Sequence, residues 1–215
     1  EVTAKGVDHG PTLVDKSIIS NILTLIEKGS EHVKFQCARA IANLSFMPHD
    51  NFAAKLVRAG INAAAHALMT SARIDTVSYA ALTTCNVAPE IASGPDAESA
   101  ARLCINVSKR LEMLKDIDAG KFVSMLHNNL ARIPIYIVVL VEEGVVPIFM
   151  SMIQALDEKE IIEACVEGFV NLSTNQKNKR EISSSGISNH LSKILTMKDS
   201  PLCRSYALLM VGNLL

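Results

Sequence analysis

Gln36-Cys37-Ala38-Arg39-Ala40-Ile41-Ala42-Asn43-Leu44-Ser45 is a small, apolar run that closes on Asn-Leu-Ser, and its ending returns along the chain. Asn86-Val87-Ala88, Asn129-Leu130-Ala131, Asn171-Leu172-Ser173 and Asn213-Leu214 each follow an apolar or small-residue stretch with helical character. The asparagines at 43, 86, 129, 171 and 213 are spaced by 43, 43, 42 and 42 residues. Self-similarity at a period in the forties predicts stacked helical units, each burying its apolar face on its neighbours.

The register extends upstream. Six residues before each asparagine stand Cys37, Ala80, Val123, Cys165 and Ala207, and five before stand Ala38, Ala81, Ser124, Val166 and Leu208. Small residues let one helix approach the next closely, so this side of each unit is the expected packed seam. Downstream, Gly60, Gly144 and Gly186 each precede Ile or Val, and Gly144-Val145-Val146-Pro147-Ile148 gives the fullest form of the junction.

These residues resemble an armadillo repeat, whose pattern runs from a Gly-x-Ile-Pro-x-Leu-Val opening through an Ala-rich helix to Asn-Leu-Ser and then Asn-Lys. Asn171-Leu172-Ser173 with Asn178-Lys179 and Gly186 matches closely, and Asn43-Leu44-Ser45 with Asn51 and Gly60 nearly as well. The resemblance covers residues 16–215 and implies an all-α, right-handed α-solenoid (superhelix) of about five armadillo repeats. The expected organisation is a single array over 1–215: a leader at 1–15, then repeats at 16–48, 49–90, 91–132, 133–175 and 176–215. The third is irregular, with Gly94-Pro95-Asp96 inserted and Arg102 in the glycine slot; the fifth is truncated. With no initiator methionine and an end at Leu215 inside a helix, the chain reads as a piece of a longer protein.

Local signals set the expected elements. Ser30 is the predicted N-cap of an inner helix over 31–46, and Pro48 its breaker. In the second unit the expected helices are 51–58, 61–71 and 75–88, with Pro89 as terminator. The stripe Leu103, Val107, Leu111, Leu114 predicts a helix, and the stretch from Asp116 to Gly120 a break before an inner helix over 121–132. The β-branched run from Ile135 to Val141 reads as a strand by itself, but the register makes it a short helix before Gly144. A helix over 145–155 follows, then a capping-box-like start at Asp157 and Glu160. The fifth unit predicts helices over 178–184 and 187–196 and a last one opened by Ser200-Pro201.

Composition narrows the function. A net charge of −1 gives no overall pull toward nucleic acid or anionic membrane. The longest apolar stretch, 133–141, is far short of the ~20 residues a spanning helix needs, and the polar start at 1–10 is no signal peptide. Five widely spaced cysteines (37, 85, 104, 165 and 203) read as small buried thiols of a cytoplasmic protein. The histidines at 9, 32, 49, 66, 127 and 190 show no metal-ligand spacing, and neither a nucleophile motif nor a phosphate-cradling loop is present. No enzyme, metal or cofactor is therefore expected. Asn43, Asn106 and Asn171 match the Asn-x-Ser glycosylation acceptor, but two of them belong to the repeat itself.

The expected partner is a protein, presented as an extended or helical segment in the concave groove of the inner helices. Two roles for the asparagine row fit: bonding the backbone of its own repeat after the inner helix, or bonding the main chain of a bound peptide. Layers about 10 Å apart and ~3.3 Å per extended residue would give one asparagine to every third peptide residue. The groove residues are thus Asn43, Asn86, Asn129, Asn171 and Asn213. One helical turn earlier stand Arg39, Leu82, Met125, Glu167 and Leu209. Nuclear-import adaptors of this family carry tryptophan there, and this chain has none. Arg39 and Glu167 oppose each other in sign, so the continuous basic groove of the catenin type is missing too. A mixed, fairly apolar groove favours an amphipathic or apolar segment over a nuclear localisation signal or acidic tail. Lys177, Lys179 and Arg180 read as a solvated face. The resemblance implies a scaffold or adaptor, with cytoskeletal, ciliary, trafficking, signalling and chaperone assemblies all open. The alternative is a structural or assembly subunit that uses its end faces.

Overall fold

The computed structural model describes residues 16–46, 52–92, 97–112 and 117–215, and every regular element among them is an α-helix. The leader, Pro48, Asn51 and the Gly94-Pro95-Asp96 insert lie outside the described residues. In chain order the helices are α1 (Lys16–Lys28), α2 (Glu31–Ser45), α3 (Phe52–Ala59), α4 (Ile61–Leu68), α5 (Ile74–Ile91), α6 (Ala97–Glu112), α7 (Ile117–Ala131), α8 (Tyr136–Glu142), α9 (Val145–Ala155), α10 (Lys159–Ser173), α11 (Lys179–Ser184), α12 (Ser188–Thr196) and α13 (Pro201–Leu214). By contacts the chain divides into two compact units, Glu1–Leu103 and Cys104–Leu215.

In the first unit α2 packs chiefly on α5, with α1 on α4 and α4 on α5. Ser30 caps α2 as the sequence predicts, its Oγ accepting from the Val33 N–H (3.4 Å). Cys37, Ala38, Ala80 and Ala81 are all buried, so the small-residue rows form the seam. Two boundaries differ from expectation. Helix α4 stops at Leu68, three residues early, because Ser71 leaves the helix to donate to Glu31 and accept from the Arg73 N–H (3.1 Å). Helix α5 passes through Pro89 to Ile91. Proline forfeits one ladder bond in that last turn, but Val87, Ala88 and Ile91 are buried, and packing carries the helix past it.

In the second unit α10 lies between α7 and α13. The run at 135–141 is indeed a helix, α8, and it meets α9 at a 70° bend. Gly144 makes that bend at φ +97°, a conformation costly for any residue with a Cβ. Gly60 and Gly186 repeat the device at φ +97° and +87°. Among the described residues no single helix is long and apolar enough to cross a membrane.

Three expectations fail here. The expected break reaching Gly120 is not one: α7 begins at Ile117 and runs through it. A Cβ at Gly120 would come within 2.4 Å of Leu156 Cδ1 and 2.9 Å of Ile161 Cδ1, so this glycine admits a neighbouring helix. The capping box does not form either. The N-cap of α10 is Glu158, without a side-chain bond, while Asp157 accepts from Lys193 and Glu160 from Lys121, each at 2.7 Å. Finally, Leu208 leaves the seam. Val123, Ser124, Cys165, Val166 and Ala207 are buried, but Leu208 is 62% exposed, because α13 is covered by α10 to α12 on one side only.

Candidate functional site

The inner helices of the units are α2 and α5 in the first, and α7, α10 and α13 in the second, and each carries one asparagine of the row near its last turn. Asn86, Asn171 and Asn213 are built into seams between helices. Asn86 Nδ2 donates to Ser45 Oγ (3.0 Å), and Ser45 Oγ in turn donates to the Ala42 carbonyl (2.7 Å). The arrangement recurs at the end of the chain. Asn213 Nδ2 donates to Ser173 Oγ (3.0 Å) and the Val170 carbonyl (3.2 Å), while Ser173 Oγ donates to Val170 (2.8 Å). The serine of Asn-Leu-Ser is thus a relay: its proton satisfies its own helix and its lone pairs receive the next helix's asparagine. The bonds of Asn86 and Asn213 run to the preceding repeat and not to the backbone of the asparagine's own repeat.

Where Ala131 replaces the serine, the seam is rebuilt. Asn171 Nδ2 donates to Asn128 Oδ1 (3.3 Å), and Asn128 Nδ2 donates to Glu167 Oε2 (2.7 Å). Glu167 Oε1 also takes Arg132 Nη2 at 2.6 Å. Asn128 is buried, whereas Asn129, the residue in register, is exposed. The Asn-Asn doublet at 128–129 was the only sequence signal that two candidates competed for this position. Glu167 is therefore tied into the seam with α7, and in the first unit Arg39 is exposed, its Nη1 donating to Gln36 Oε1 (3.4 Å).

The bonds of Asn86, Asn171 and Asn213 all use Nδ2, and none of their described bonds uses Oδ1. Each side chain is half-buried. One turn earlier, Met125 and Leu209 are 45% and 55% exposed. In the first unit Phe35 supports the surface around Arg39: Arg73 stacks on its ring at 4.5 Å, Arg39 lies 5.7 Å from it, and Tyr79 meets it edge-on at 6.0 Å. Arg73 is held bidentately by Asp75 (3.0 and 2.5 Å), which keeps the Asp75 carboxyl below its ordinary range. Lys34 and Ser71 do the same for Glu31.

The backbone turn expected of the row belongs instead to Asn178, buried after α10. Its Nδ2 donates to the carbonyls of Leu172 (3.0 Å) and Ile137 (3.1 Å). Asn178→Ala should cost about 2 kcal/mol in urea unfolding, since two buried carbonyls each lose a donor. Asn178→Asp should do no better, because a carboxylate cannot donate.

The five cysteines are free and buried, and burial raises the Cys165 thiol and pushes Cys203 up to about 11. Among the described residues no group of three His, Cys, Asp or Glu is placed to hold a metal ion.

The whole chain superposes on a designed armadillo repeat protein with a TM-score of 0.79 and 19% identity, covering 100% of this chain and 89% of the other. The fold is an armadillo-repeat α-solenoid. A second designed armadillo repeat protein, solved in complex with the peptide (KR)4, gives a TM-score of 0.79 at 18% identity, again covering 100% and 89%. Computationally designed armadillo repeat proteins for modular peptide recognition give 0.78 at 19%, covering 99% and 88%. No protein-family profile matches the sequence, and no curated protein matches it at a significant level.

Proposed function

We propose that this chain is a non-catalytic scaffold that holds a segment of a partner protein, extended or helical, against its inner helices. The observation that carries the reading is the divided use of the asparagine row. Asn86, Asn171 and Asn213 spend Nδ2 on the seams and keep Oδ1 for a further donor, such as a peptide N–H. Asn43 and Asn129 extend the row. Arg39, Met125 and Leu209 supply discrimination one turn away, while Glu167, paired with Arg132, shapes the surface. The likeness to designed armadillo proteins made for peptide recognition supports a peptide ligand. A net charge of −1 supports a protein partner over nucleic acid.

Alanine in the row would loosen the seams, so the test belongs at the exposed neighbours. Peptides selected from a displayed library on the wild-type chain should bind a Met125→Asp/Leu209→Asp variant at least about tenfold more weakly, with the melting temperature unchanged. Selected peptides that bind the variant equally well would sink the reading.

A second reading is an assembly subunit stacking through its end, favoured by Leu202 and Leu208, which are 60% and 62% exposed on α13. It requires self-association in sedimentation equilibrium that Leu202→Lys/Leu208→Lys abolishes; a monomer at all concentrations removes self-stacking.

A further inference from the structure

Away from the asparagine row, α9 and α11 enclose an open cleft of about 350 Å³, lined by no inner-helix residue. That volume sits at the low end of the ~300–1,000 Å³ of small-ligand sites. Its floor is apolar, with Val146 and Met150 buried beneath it, and its rim carries Ser184, Ser185, Gln154 and Glu181. The fixed hydroxyls of the rim present lone pairs. Ser184 Oγ gives its proton to the Glu181 carbonyl (3.0 Å) and Ser185 Oγ gives its own to Ile182 (2.7 Å). Ser185 Oγ already accepts from the Ile187 N–H (3.3 Å), whereas Ser184 Oγ has no described donor.

Among the described residues Glu181 is the one charged side chain lining the cleft, and it is exposed. It forms no ion pair with any described residue, and the basic Lys177, Lys179 and Arg180 just before it do not line the cleft. An apolar cleft with a carboxylate and a hydroxyl oxygen on its rim complements a group with an apolar stem and a donor-only cationic tip. The ammonium suits it better than a guanidinium, because its three donors can spread over oxygens on separate residues instead of requiring a planar pair.

We propose that this cleft takes a lysine side chain from a segment of a partner protein, the methylene stem lying on Val146 and Met150 and the ammonium between Glu181 and Ser184. The site is independent of the inner-helix surface, so a partner using both would be gripped on two faces.

The probe is Nα-acetyl-lysine N-methylamide, titrated into the full chain by amide NMR with the norleucine analogue as the uncharged control. The lysine probe should shift the amides of Val146, Met150 and Ser184 saturably, with a dissociation constant on the order of 1 mM. Glu181→Gln, a surface change that spares the fold, should weaken it about fivefold. The norleucine analogue should give no saturable shift. The proposal is overturned if norleucine shifts the same amides with the same midpoint, if Glu181→Gln binds as well as wild type, or if the lysine probe saturates nothing in the cleft.

Discussion

Lowering the pH from 7 to 5 is expected to remove about 2 kcal/mol of stability from the second unit through His127 alone. The ring is fully buried in α7, and burial lowers its pKa from the ordinary 6.5 to about 3. Its hydrogen bonds fix the tautomer. Ser108 Oγ donates its only proton to the Cys104 carbonyl (3.0 Å), so across the 2.7 Å contact His127 Nε2–H must be the donor to Ser108. Nδ1 then carries a lone pair, and among the described residues no partner reaches it. Protonation would place a charged N–H there, in an apolar site closed on one side by Phe149, whose ring stands edge-on at 6.3 Å. The folded pKa lies below the unfolded one, so the unfolded chain takes up the proton first as pH falls. Stability is complete above 6.5 and drains at about 1.4 kcal/mol per pH unit toward 3, with a ceiling near 5 kcal/mol. Because repeat arrays open unit by unit, native-state hydrogen exchange at α7 and α10 is the suitable readout. His127→Leu should flatten the loss between pH 7 and 5. An equal loss in wild type and variant would assign the acid sensitivity elsewhere.

The features legible in the sequence were those whose cause lies within one repeat or in its periodicity. An asparagine at a 42–43 residue period, the small residues at Cys37, Ala80 and Cys165, and the glycines at 60, 144 and 186 are local requirements, with the glycine lost in the third repeat, where Arg102 stands. The cap at Ser30 and the start at Ser200-Pro201 needed only residues three positions on. What stayed hidden depends on partners far along the chain. Asp157 resembles a cap until Lys193 takes its carboxylate, 36 residues later. Gly120 resembles a break until Ile161 is packed against it. Asn128 displaces Asn129 in the seam because Glu167 and Asn171 arrive from the next helix, and no local feature separates the two neighbours. The candidate site was legible as a row of positions. Its chemistry, Nδ2 into the seam with Oδ1 left over, required the geometry.

Gly168→Val is expected to cost about 3 kcal/mol or more. Gly168 lies in the middle of α10, where a glycine is about 1 kcal/mol worse than alanine, so helix propensity argues for replacing it. Packing argues the other way. A Cβ at 168 would stand 2.5 Å from Phe149 Cε2 and 2.7 Å from Cζ. That ring cannot retreat cheaply. Phe149 is fully buried, edge-on to Phe169 at 5.4 Å and to His127 at 6.3 Å. Overpacking of this kind costs about 1–3 kcal/mol for a modest insertion, so even Gly168→Ala should come out net destabilising, by roughly 1 kcal/mol. Gly212 in α13 supplies the contrast, since a Cβ there meets nothing within 4 Å. Gly212→Ala should stabilise by a few tenths of a kcal/mol up to about 1, as propensity alone dictates. Urea unfolding of the two alanine variants therefore separates backbone preference from packing by sign. The double variant Gly168→Ala/Phe149→Leu should recover part of the loss relative to Phe149→Leu alone, because the atoms that clash are gone. If both alanine variants shift stability in the same direction by the same amount, Phe149 moves freely, and the packing around His127 is loose as well.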